Sequence, residues 1–292
     1  MPTPIRPLSL DDIVSETITV LLRRLPQFLL LAMLANLPVI FWQLLTVASP
    51  DQWVAPPRFQ TITETSPLAA LLAYVLNGRD NLPVFVAIAV AGLSGLMQTA
   101  GTTLYAYQLT QNHNLTLAQT LQQMLIRLPA ILLGSALPTL LIVVLGQQLP
   151  KTFWGNSLFV LALLIIYPRF LFATASVMTE QATGLNALWR SLQITHANYW
   201  RVLGTWLVLE LVIAMALLMP TLLIGLSSIN LVLGTTQRLV NFSIGNLTIF
   251  IVESFRSIAL LYLFLDIRRR QGRRRQGRRW SDGQGAVEVA IV

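Results

Sequence analysis

Four charged residues stand in otherwise apolar stretches of this chain: Arg169, Glu210, Glu253 and Arg256. Charge in such company is costly, so these positions are the first candidates for chemistry. At a rise of about 1.5 Å per residue, Arg169 falls halfway along its stretch and Glu210 about 12 Å into the next. Glu253 and Arg256 fall near the middle of the last stretch, so all four share roughly one depth. Their charges sum to zero, and Glu253 and Arg256, at i and i+3, can meet on one helix face. Two readings follow. A neutral buried network would fix which helices pack together, whereas a proton or substrate path would use the same groups for transport. Charge balance and the short pairing favour the first. Asn36 and Gln98 extend the polar layer on either.

Other chemistry is sparse. The chain has no cysteine, which excludes disulfides, thiolate metal sites and cysteine nucleophiles. His113 and His196 have no matching ligands nearby in sequence, so no metal site is expected. A Gly-rich phosphate loop, a Gly-x-Ser-x-Gly elbow and a His-Glu-x-x-His motif are all missing. A lipid hydrolase would have to rely on carboxylates such as Glu180 and Asp266, and this is the least supported functional reading. Neither enzymatic activity nor a cofactor is expected.

The elements that must position these charges follow from composition. Of the 292 residues, 54% are hydrophobic and 11% charged, with a mean hydropathy of +0.65. A soluble domain carries about 25% charged residues. So apolar a chain needs lipid as solvent. The expected fold is an all-α polytopic membrane bundle: six transmembrane helices with three cytoplasmic, interfacial amphipathic helices. Spans of roughly 20 apolar residues fall at 28–47, 84–109, 129–149, 158–178, 202–226 and 243–265. Asp11, Asp12 and Glu16 sit where a signal peptide would be apolar, so the first span is expected to act as a retained insertion signal.

Interfacial helices are expected at 9–24, 116–127 and 183–194. Ser9 with Asp12, and Thr116 with Gln119, have capping-box spacing. Leu10, Ile13, Val14, Ile18, Leu21 and Leu22 form the first apolar stripe; Leu117, Leu121, Met124, Leu125 and Leu128 form the second. In the third, Leu185, Leu188, Trp189 and Leu192 lie on one side, with Asn186, Arg190 and Gln193 on the other. This third helix belongs to the connector between spans four and five, where Trp189, Tyr199 and Trp200 read as interface anchors. Glu180 and Arg190 are either plain helix-end charges or a brace between connector and span. The long loop 49–83 holds one short apolar piece, 68–76, read as interfacial or re-entrant. The order interfacial helix, span, span occurs three times, suggesting an internal repeat.

The net charge of +8 is concentrated, since eight arginines lie between Arg268 and Arg279. With both termini inside, fourteen basic residues fall on the cytoplasmic side and four outside, leaving Arg169 and Arg256 in spans. That is a positive-inside pattern. The tail 268–292 reads as a disordered topology determinant that attracts anionic headgroups. It offers no folded reader for nucleic acid, so none is expected as partner.

Three segments also carry a resemblance. Arg6-Pro7-Leu8-Ser9-Leu10 with Ile13, Arg23 and Arg24 resembles the N-terminal signature of the bacterial glycerophosphodiester phosphodiesterase membrane-domain family. Glu180, then Ala187-Leu188-Trp189-Arg190-Ser191-Leu192 and Tyr199-Trp200-Arg201-Val202-Leu203-Gly204, resemble its central motif. Leu261-Tyr262, Asp266-Ile267-Arg268 and Gln271-Gly272 resemble its closing motif. Asp11 departs from the usual Gly, and Thr183-Gly184 alters the entry to the central helix. The resemblance implies a membrane domain of the bacterial inner membrane without the catalytic barrel named in its title. The expected function is a non-enzymatic membrane protein contacting lipids or partner proteins at its cytoplasmic face. The alternative is a transporter or lipid-moving protein using the charged midplane.

Overall fold

The computed structural model describes residues 8–48, 82–111, 116–148, 153–228 and 235–281. The apolar piece at 68–76, His113, Lys151 and the tail from 282 onward lie outside them. Among the described residues there are nine helices and no strand. They are α1 (Leu10–Arg23), α2 (Leu25–Ala48), α3 (Leu82–Thr110), α4 (Leu117–Gln148), α5 (Phe153–Phe170), α6 (Ala173–Glu180), α7 (Gly184–His196), α8 (Tyr199–Ser228) and α9 (Thr235–Ser281). Three helical stretches are long and apolar enough to cross a membrane: Val160–Glu180, Tyr199–Leu218 and Ser243–Gly272. A fourth is added if α1 and the start of α2, bent by 82° at Arg24, are taken together.

Local chemistry explains where the helices start. The Ser9 hydroxyl accepts from the Asp12 amide at 3.1 Å while the Asp12 carboxylate accepts from the Ser9 amide at 2.7 Å. Thr116 and Gln119 repeat that reciprocal pair at 3.3 and 3.0 Å. Each box satisfies amides that a helix start leaves without partners. The boundary between the first two helices falls at Arg24, with Pro26 inside the first turn of α2, where its missing N–H costs nothing. The expected division at Pro129 does not occur. Helix α4 runs through both Pro129 and Pro138, since one missing backbone bond need not end a long helix packed on its neighbours.

Two further boundaries differ from expectation. The stretch 158–178 is not one helix but α5 and α6, broken at Leu171 and Phe172. Pro168 has no N–H to give the Leu164 carbonyl four residues back, and at the break the Phe172 amide bonds the Ser191 hydroxyl rather than the Pro168 carbonyl. The tail expected to be disordered from 268 instead continues α9 to Ser281. Arginine and glutamine are good helix formers, and Gly272 does not outweigh them.

The core joins distant parts of the chain. Ile13, Phe172, Val202, Ala259 and Phe264 form one buried cluster. Phe28, Leu31, Tyr105, Ile258 and Leu261 form a second, with Phe28 edge-on to Tyr105 at 5.2 Å. In the same helices Asn36 donates to Gln98 at 2.7 Å, and Gln98 to the Phe250 carbonyl at 3.2 Å. These buried amides lock α2, α3 and α9 at one height.

Candidate functional site

The connector is stitched into the break it follows. Ser191 is fully buried; its hydroxyl donates to the Arg169 carbonyl at 2.7 Å and accepts from the Phe172 amide at 3.2 Å. Thr195, one turn on, reaches the Pro168 carbonyl at 3.4 Å. Tyr199, a further turn on, donates to the Leu164 carbonyl at 2.9 Å. That carbonyl is the one Pro168 leaves without a partner. Three hydroxyls at i, i+4 and i+8 thus serve backbone groups of the break and of the turn before it. Ser191→Ala should cost about 1–3 kcal/mol, because a buried amide and a carbonyl both lose their partner. A thermal unfolding midpoint in detergent equal to that of the parent would refute this.

The start of α7 approaches α4 closely. A side-chain carbon added at Gly184 would lie 2.6 Å from the Leu133 Cβ and 2.7 Å from the Ala130 carbonyl oxygen. Glycine at 184 therefore has a packing reason: a larger residue would not fit against α4. The turn before it ends α6 at Gln181, in the left-handed conformation with φ 55°.

Each amphipathic helix divides its apolar residues between the protein and the outside. Helix α1 buries Ile13, Thr17 and Leu21 while Ile18 and Leu22 stay exposed. Helix α4 buries Met124 and leaves Leu125 and Ile126 outside. Helix α7 buries Ala187, Leu188, Ser191, Ile194 and Thr195, leaving Leu185 and Trp189 exposed. Leu188, expected on one side with Trp189, packs inward instead. Trp200 is 80% exposed.

Charged residues gather in two places. The first surrounds the end of α6. Glu180 meets Arg190 at 2.6 Å and also pairs with Arg268. Arg127 donates to the Val177 and Met178 carbonyls, capping the negative end of α6. Burial draws its pKa below the ordinary arginine value, yet a guanidinium stays charged. On the other side of α9, the buried Asp266 accepts from the Leu8 amide at 3.0 Å, Arg201 at 2.9 Å and Arg270 at 2.8 Å. Arg201 and Arg270 also reach the Leu8 carbonyl. Leu8, Arg201 and Asp266 come from the N-terminal, central and closing segments, which therefore meet here. Tyr262 packs, partly buried, against both core clusters one turn before Asp266.

The second place is midway along α8 and α9. Arg256 bridges Glu210 at 2.8 Å and Glu253 on its own helix. Trp206 donates to the other Glu210 oxygen at 3.1 Å and packs against Tyr167, ring centres 5.2 Å apart and tilted by 46°. Arg169 lies elsewhere. Among the described residues it makes no ion pair, and its guanidinium sits 5.9 Å from the centre of the Tyr199 ring. Its position after Pro168, at the end of α5, turns it toward the connector rather than α9. Three of the four intramembrane charges are thus brought together, with one negative charge in excess. Arg270, Ser191 and Thr195 were not singled out from sequence; the stripe Ser191, Thr195, Tyr199 opposite a proline was the available signal.

Among the described residues no group of three His, Cys, Asp or Glu is placed to hold a metal ion. No protein family, no curated protein and no solved structure matches the chain.

Proposed function

We propose that this is a six-span protein of a bacterial inner membrane, both termini cytoplasmic, acting through lipid or protein contacts at that face rather than by catalysis. The observation that carries the reading is the outward apolar pair on each amphipathic helix: Ile18 and Leu22, Leu125 and Ile126, Leu185 and Trp189. On α7, Arg190 stands beside the exposed Trp189. An exposed apolar face beside arginines suits the boundary between hydrocarbon and headgroups. We assign the second and third spans to α3 and α4, whose 29 and 32 residues, at about 1.5 Å each, exceed the ~30 Å of hydrocarbon. The three segments that carry the resemblance to the glycerophosphodiester phosphodiesterase membrane-domain family meet at Asp266. The expressed protein should stay in the pellet when membranes are washed at alkaline pH and leave only with detergent. Release by the alkaline wash would end the reading.

A second reading, transport through the charged midplane, is favoured by one observation. The Arg256, Glu210 and Glu253 side chains are 25%, 30% and 24% exposed, so they are not sealed from their surroundings. Broken helices and internal repeats are common in transporters, but here the break is closed by Ser191, Thr195 and Tyr199. We therefore place this reading second.

A further inference from the structure

Two carboxylates lie beneath arginines at the charged end of the bundle, and they are not equivalent. The partners of Asp266 also hold the Leu8 carbonyl, so their donors are used in joining three chain segments. Glu180 differs. Its side chain is 7% exposed, while the guanidiniums on it, Arg190 and Arg268, are 47% and 43% exposed. The carboxylate is underneath and the two cations face outward. Arg127 adds a third positive charge, on carbonyls two and three residues before Glu180. One carboxylate against three guanidiniums leaves a surplus of two positive charges.

Beside that surplus the surface is apolar. Trp189 precedes Arg190, Leu185 lies one turn earlier, and Ile126 precedes Arg127; all three are exposed. Close packing of Gly184 on Ala130 and Leu133 brings the start of α7 against the turn of α4 that follows Ile126. A small soluble anion would use only the charged half of such a surface. An anion carrying hydrocarbon chains uses both. Guanidinium forks also match phosphate oxygens in pairs, which a buried carboxylate holding two of them in place makes available without reordering.

We propose that Arg190 and Arg268, held on the buried Glu180, seat the phosphate of an anionic phospholipid whose chains lie along Leu185, Trp189 and Ile126. The proposal rests on the membrane reading above and assigns it one site and one lipid class. The polybasic end of α9 attracts the leaflet broadly; this seat holds one headgroup.

The test is native mass spectrometry of the full chain in detergent, titrated in parallel with dioleoylphosphatidylglycerol and dioleoylphosphatidylcholine. Retention of phosphatidylglycerol is expected to exceed that of phosphatidylcholine by about tenfold: both carry the phosphate, but the choline cation of the second is repelled by the surplus positive charge of the seat. The variant Glu180→Gln/Arg190→Gln/Arg268→Gln removes all three charges, stranding none, and should abolish most of that excess, leaving the weak preference that the rest of the basic tail supplies. Trp189→Ala, which alters an exposed side chain outside the ion pairs, should lower phosphatidylglycerol retention about threefold. Equal retention of both lipids by the parent protein would overturn the proposal, and so would a preference undiminished in the triple variant. Competition by millimolar inorganic phosphate would show the seat to be one for a soluble anion and overturn the lipid assignment. A protein that remains in alkali-washed membranes yet shows no lipid preference loses this proposal alone, and the membrane reading stands.

Discussion

Asp266→Ala is expected to lower stability in detergent by about 3–5 kcal/mol, the cost of breaking a buried charged network by removing one partner. Asp266 is 2% exposed, and its loss leaves Arg201, Arg270 and the Leu8 amide facing an empty space. Three segments separate at once: the entry to α1, the first turn of α8 and the middle of α9. Asp266→Asn keeps an oxygen for the Leu8 amide but no charge for the arginines, so a smaller loss is expected. Thermal unfolding of both variants reads the difference. An Ala variant as stable as the Asn variant would mean that the contact with Leu8 contributes nothing.

Arg256→Leu should be the most damaging change within the spans. It leaves Glu210 and Glu253 facing one another in apolar surroundings, at a cost of about 3 kcal/mol; proton uptake by one carboxylate softens the loss. Adding Glu210→Gln and Glu253→Gln should restore most of the melting temperature, because no charge then remains to desolvate. Arg169→Leu should cost only about 0.5–1 kcal/mol, the worth of an exposed cation–π contact. If Arg169→Leu proved as harmful as Arg256→Leu, the bridging role assigned to Arg256 would be wrong.

Much of this architecture was legible because lipid and helix geometry leave few choices. Ser9 with Asp12 and Thr116 with Gln119 announced two helix starts, and each forms its reciprocal pair. The expectation that Glu253 and Arg256 could meet at i, i+3 required only the helical repeat. Arg169 illustrates what periodicity cannot give. Its depth matches the other charges, but its direction depends on the break after Pro168, which turns on contacts from Ser191, Thr195 and Tyr199 some twenty to thirty residues away. Leu188 and Trp189 were expected on one face because both are apolar; the packing of α7 on α4 and α6 divides them, burying one and leaving the other outside. The end of α9 misled for another reason. A run of arginines reads as disorder by charge, yet arginine is a strong helix former and here extends a helix already nucleated by its buried half.

The central claim, six spans with the connector on the cytoplasmic side, is open to one direct measurement. Because the chain has no cysteine, single cysteines can be placed without removing any. Gln193→Cys lies on the exposed side of α7, and Lys151→Cys lies in sequence between the proposed third and fourth spans. A membrane-impermeant maleimide applied to intact spheroplasts should label Lys151→Cys at once and Gln193→Cys only after the membrane is opened. Labelling of both positions from the same side would contradict the six-span arrangement.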